Sequence, residues 1–253
     1  MRFLPFLCLS FLLISPFSNI HGQDFNAIVK EADRLEAIPN EKGALHEFKE
    51  ALKLQPLNLY ALAKCSELCS RIAGREQNEQ AKDNYNQASI VYARTAMKLY
   101  PNTDEANVAI AIAVGRTMLK KSGKEKLAIA REIKQYADMA VKANPNNFKA
   151  WHVLGKWNYE ISNLSAFERG IAKVFLGGVP QGSLKNSIAA YEKARTLNPN
   201  FALNYLELAR AYHKDNNTTK AISLLKIVLT LPIQTEDDPR IKKDAQKLLK
   251  EWV

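Results

Sequence analysis

Asn144–Pro232, NPNNFKAWHVLGKWNYEISNLSAFERGIAKVFLGGVPQGSLKNSIAAYEKARTLNPNFALNYLELARAYHKDNNTTKAISLLKIVLTLP, can be laid twice against one pattern. The pattern is an aromatic, a leucine, a small residue and a second aromatic, then a small residue and an apolar one, then a proline stop. Its first copy is Trp151, Leu154, Gly155 and Tyr159, continued after an interruption by Ser187, Tyr191, Ala194 and Pro199. The second is Tyr205, Leu208, Ala209, Tyr212, Ala221, Leu225, Val228 and Pro232. Pro199 to Pro232 is close to the period of about 34 residues at which paired helices stack into a solenoid.

Upstream, the same punctuation recurs at Pro56, Pro101 and Pro145, where proline cannot continue a helix and disfavours helical geometry in the residue before it. Intervals of 45, 44 and 54 residues between successive stops imply enlarged repeats. The longest carries an insert at 163–182, in which Leu164, Phe167, Ile171, Val174 and Phe175 form an apolar stripe ahead of Gly177-Gly178-Val179-Pro180. Ala44, Phe48, Ala51 and Pro56 fit the second helix of a first repeat, and Asp238-Pro239 opens a terminal helix with Ile241, Ala245, Leu248, Leu249 and Trp252 on one side, the cap a solenoid end requires. The expected fold is therefore all-α: a right-handed, tetratricopeptide-like solenoid of five helix pairs and a C-terminal cap.

The N-terminus reads differently. Arg2 precedes an apolar run from Phe3 to Ile14 and small polar residues up to Gly22, the layout of a secretory signal peptide. The expected organisation is a signal peptide at 1–22, with retention as a membrane anchor as the alternative, and a repeat domain at 23–253. Export to the periplasm or outside the cell follows from that reading.

The 253 residues are 47% hydrophobic and 25% charged, as in ordinary globular proteins, and carry a net charge of +10. Such a charge attracts acidic peptides or anionic lipid surfaces. Nucleic acid is not the expected partner. Cys65 and Cys69 lie four apart on one helix face and read as small core residues, since parallel Cβ directions make poor disulfide geometry. His21, His46, His152 and His213 are the only histidines, and no glycine-rich phosphate loop, His-x-x-x-His pair or Gly-x-Ser-x-Gly elbow is present. No enzyme, cofactor or metal site is expected.

Registering the repeats by their prolines assigns a concave stripe of Tyr60, Arg71, Arg116, Lys149, His152, Lys156, Leu203, Leu206, Arg210 and Lys214, a mixture of cations and apolar groups suited to an acidic peptide. Phe167, Ile171, Val174 and Phe175 form a candidate lid. Closed over the groove, that lid would make an apolar pocket for an anionic lipid or amphiphile, the alternative ligand.

Leu154-Gly155-Lys156-Trp157-Asn158-Tyr159-Glu160, the run Phe167 to Phe175 with Pro180, and the turn Asn198-Pro199-Asn200-Phe201 resemble the regulator of microtubule dynamics family. The resemblance covers about Phe25 to Leu249. It implies a non-enzymatic adaptor built from enlarged tetratricopeptide-like repeats, with relatives associated with microtubules, organelle membranes and in some cases lipid; microtubules are expected as a partner only for a chain in the cytoplasm.

Overall fold

The computed structural model describes residues 18–117, 123–175, 178 and 181–253, with backbone alone for 18–23, 167, 171, 172 and 175. Among these residues the chain is helical with no strand. The helices are α1 (Ser18–Ala37), α2 (Glu41–Leu54), α3 (Leu59–Arg75), α4 (Glu79–Leu99), α5 (Asp104–Thr117), α6 (Gly123–Ala143), α7 (Phe148–Asn163), α8 (Ala166–Phe175), α9 (Leu184–Leu197), α10 (Ala202–Lys214), α11 (Thr218–Thr230) and α12 (Asp238–Trp252). They form the expected pairs α1–α2, α3–α4, α5–α6, α7–α9 and α10–α11, with α8 as the insert and α12 as the cap. The apolar run Phe3 to Ile14 lies outside the described residues, and α1 passes without a break through the junction of residues 22 and 23.

The helices begin where the sequence supplies an acceptor for otherwise unpaired amides. Asn40, Asn58, Asn78, Asn147 and Asn217 each cap a helix, their side chains accepting from the amide three residues on. The turns at Pro145 and Pro199 are Asx turns: the amides of Asn146 and Asn200 donate to Asn144 Oδ1 at 3.0 Å and Asn198 Oδ1 at 3.1 Å. Within the insert, Ser165 and Glu168 form a reciprocal capping box at the start of α8.

Small residues set how closely the two layers approach. Ala44, Ala51, Ala93, Ala96, Ala137, Ala140, Ala194 and Ala221 are all fully buried, and the rings of Phe48 and Tyr191 fill the space they leave. Helices α3, α5, α7, α10 and α12 stack successively as an inner row, and α4, α6, α9 and α11 back them. At the far end His213 stacks on Trp252 with centroids 3.9 Å apart, while Ile241 and Ala245 complete the C-terminal core.

Candidate functional site: the concave face

At the N-terminal ends of the inner helices, Tyr60, Ala63, Lys64 and Glu67 of α3 recur on one helical face, as do Glu105, Val108, Ala109 and Ile112 of α5. With Phe148 and Lys149 of α7 they line a cavity of about 260 Å³. Its floor is aliphatic and its rim charged. Tyr60 is fixed by donating to Asp33 Oδ1 at 2.6 Å and packing edge-on to Phe48, and Asp104 is held by the side-chain amides of Asn144 and Asn147, each at 2.8 Å.

Below the cavity the charges form one continuous set. Glu67 receives Lys149 and faces Arg71 at 3.7 Å. Arg71 also reaches Glu36 at 2.6 Å and Glu41 at 3.3 Å, and Lys64 reaches Glu36 at 2.7 Å. Burial alone would raise the Glu67 carboxyl, but Lys149, Arg71 and Lys64 outweigh it and hold it down at about 2. Glu41 is fully buried, and there burial prevails, raising its carboxyl despite the pull of Arg71 and Arg75.

The set then crosses from the start of the chain to its end. Arg75 meets Glu41 at 2.6 Å, Glu236 at 3.1 Å and Asp237 at 3.3 Å. The Glu41 amide donates to Glu236 Oε1 at 2.7 Å, and the Glu236 amide returns a bond to Glu41 Oε1 at 3.3 Å. Arg116, at the end of α5, lies beside Gly74 in the field of Asp237 and Arg240. The turn before α12 is thus drawn onto the C-terminal end of α3, opposite the end that carries the cavity.

A second charged centre joins α7 to α10. The nearly buried Glu207 accepts Lys156 at 3.2 Å and Arg210 at 2.8 Å, and Lys156 also pairs with Glu160 at 2.8 Å. His152 Nδ1 lies 3.0 Å from Asn204 Oδ1 and its ring packs on Tyr191 and Phe201; burial lowers its pKa, so it is neutral at pH 7. Lys214 reaches Ser162 and Asn163 across the Tyr159 ring.

Of the residues expected in the groove, Tyr60 and Lys149 line the cavity together with Ala63, Val108 and Ile112. Leu206 does not belong there: at 1% exposure it is core, and Leu203 packs half-buried against the same cluster. One residue along a helix turns the side chain by about 100°, enough to carry it from concave wall to interhelical contact. Lys149, Lys156 and Arg210 are committed to glutamates of their own, which removes the free cations on which an acidic-peptide groove at those positions depended. The glutamates were the missed residues. Glu67 four before Arg71 and Glu207 three before Arg210 were visible as helical ion-pair spacings; Glu36, Glu41 and Glu236 find partners far away in sequence. Of the candidate lid, the side chains of Phe167, Ile171 and Phe175 lie outside the described residues, and Val174 is 74% exposed. Among the described residues, no group of three or more His, Cys, Asp or Glu is arranged to hold a metal, and no helix is long and apolar enough to cross a membrane.

Residues 28–253 match the profile of the family described as Regulator of microtubule dynamics protein 1-3. Regulator of microtubule dynamics protein 1 of Bos taurus is 26% identical, the match covering 98% of this chain and 82% of that protein. Its Mus musculus counterpart is 28% identical over 88% of this chain and 76% of its own length, and that of Caenorhabditis elegans 24% over 73% and 80%. Among solved structures, a thermophilic TPR protein of Thermus thermophilus superposes with a TM-score of 0.61 at 15% identity, over 89% of this chain and 99% of its own. Pseudomonas aeruginosa pilF gives 0.54 at 12% identity over 92% and 90%; at such identities both bear on the fold alone. The relatives, named for regulating microtubules, overturn the expectation that the chain is exported to the periplasm or secreted.

Proposed function

The chain belongs to the regulator of microtubule dynamics family, and from that premise we propose that it is a non-enzymatic scaffold that binds a protein of the microtubule system on the concave face of its solenoid. The observation that carries this reading is the cavity between α3, α5 and α7. An aliphatic floor of Ala63, Val108, Ala109 and Ile112 offers area to bury, and Tyr60 and Phe148 at its margin are the rigid aromatic type that dominates binding hot spots. Side chains that are already hydrogen-bonded, such as Tyr60, Asp104 and Lys149, are preorganised and lose little freedom when a partner seats. The family's regulatory role needs binding and no chemistry.

Purified protein added to dynamic microtubules is expected to change their growth or shrinkage rates, and Ile112→Asp, placing a charge on the cavity floor, is expected to abolish the effect with helicity retained. An undiminished effect in that variant would exclude the concave cavity. Native mass spectrometry supplies the competing outcome: an anionic amphiphile retained at one copy per chain would replace protein binding by lipid carriage.

A further inference from the structure

We propose that the edge formed by Arg71, Arg75 and Arg116 is a binding site for an acidic segment of a protein partner, and that the turn Glu236–Asp237 is the chain's built-in competitor for it. This rests on the reading of the concave face as a protein-binding surface. Among the described residues, five cations run from the cavity to this edge, Lys64, Arg71 and Arg75 of α3, Arg116 of α5 and Lys149 of α7, with Arg240 of α12 on the far side of Asp237. The first repeats supply three carboxylates against them, Glu36, Glu41 and Glu67. Glu236 and Asp237, from the far end of the chain, bring two more carboxylates to Arg75. With that turn lifted away, Arg75 keeps only Glu41 and Arg116 loses the field of Asp237, in a partly desolvated setting where an anionic group is strongly favoured.

The donors on this edge also outnumber what the turn uses. Arg71 Nε and Arg75 Nη1 face Glu41 and Asp237 at 3.3 Å without completing a hydrogen bond, and among the described residues no carboxylate comes within ion-pair distance of Arg116. Glu236 takes one amide, that of Glu41, and one guanidinium, that of Arg75. A carboxylate of a partner could take the same two donors and leave a neighbouring acidic residue for Arg116.

The turn is built to detach. Its shape is fixed locally, because Asp238 Oδ2 accepts from the amides of Gln234 at 2.7 Å and Thr235 at 2.8 Å and needs nothing from the first repeats. Ile233 beside it is 53% exposed, and the apolar anchors on either side of the turn, Leu231 and Ile241, belong to the C-terminal core and not to the first repeats. A contact made of ion pairs and two backbone bonds can be exchanged for an equivalent set offered by another acidic segment. Binding of an acidic segment is therefore coupled to release of the C-terminal cap from the first two repeats.

The test uses a fluorescein-labelled peptide of residues 231–240 and the full chain. Glu236→Gln with Asp237→Asn is expected to bind the peptide at least tenfold more tightly than the unaltered chain, and adding Arg75→Gln is expected to remove that gain. Equal affinity of the unaltered and doubly altered chains, or a gain insensitive to Arg75→Gln, overturns the proposal. Should the double variant not fold, hydrogen exchange on the unaltered chain decides: excess peptide accelerating exchange at the amide of Glu236, which loses its bond to Glu41, supports the competitor, and unchanged exchange there refutes it. A failure here leaves the effect on microtubules and its loss in Ile112→Asp untouched, so the two readings fail separately.

Discussion

The ring of Tyr191 lies against the backbone of Gly155 so closely that a β-carbon on residue 155 would sit 2.5 Å from Tyr191 Cδ1. This contact, with Ser187 Oγ donating to the Gly155 carbonyl at 2.8 Å, sets the distance between α7 and α9. Gly155→Ala is expected to cost about 1–3 kcal/mol, because the fully buried ring has nowhere to move. Thermal unfolding measures it; an unchanged midpoint would mean that the helices shift apart without penalty.

The same ring carries a hydroxyl that is buried without a hydrogen-bond partner. Removing an unpaired polar group from a core relieves its desolvation, so Tyr191→Phe is expected to leave stability unchanged or to raise it by up to about 1 kcal/mol. A loss of more than that in urea unfolding would reveal a partner for the hydroxyl in solution.

Glu67 makes stability depend on acid. Its folded value of about 2 lies below the ordinary carboxylate value of 4.5, so its contribution is fully present above pH 4.5 and is lost as pH falls toward 2. Glu41, raised by burial, works with the opposite sign, its protonated form being the better tolerated. Glu67→Gln is expected to cost about 1–3 kcal/mol at pH 7, since it leaves Lys149 and Arg71 short of a partner. The gap between variant and parent, followed by urea unfolding, should close between pH 4.5 and pH 2; a constant gap would show that Glu67 acts by packing alone.

Cys65 and Cys69 are fully buried, and burial pushes their thiols up to about 12 and about 11. Thiolate is the reactive form, so neither is expected to react with iodoacetamide at pH 8 over an hour, and both should react in 6 M guanidinium at roughly the rate of an ordinary cysteine. Rapid labelling of the folded chain, read by mass spectrometry of the peptide that holds both, would show that α3 opens locally.

The stacking of repeats was legible because its signals are local. A proline stop and an alanine facing an aromatic both act within one or two turns, and Ala44, Ala51, Ala194 and Ala221 sit buried where the repeat pattern puts them. The concave face was legible only in part. Tyr60 and Lys149, placed by registering the repeats on their prolines, do meet around one cavity, with Ala63, Val108 and Ile112 between them. What each cation does there depends on which carboxylate faces it across the superhelix, and nothing in the spacing of Glu41 and Glu236 announces that they meet. Leu206 was misplaced for a related reason, since periodicity finds an apolar stripe without saying which neighbouring helix covers it.

The bond between the Glu41 amide and Glu236, 195 residues apart, changes how this solenoid should come undone. A linear array of repeats contacts only its nearest neighbours, so its terminal units fray independently and unfolding can begin at either end. Here the first and last units hold each other, and neither is a free end. Unfolding should be more nearly all-or-none than the repeat architecture alone implies. In folding, this junction closes the longest loop among the hydrogen bonds of the described residues and is the last for which loop closure is repaid. A truncation at either terminus would then weaken the opposite one.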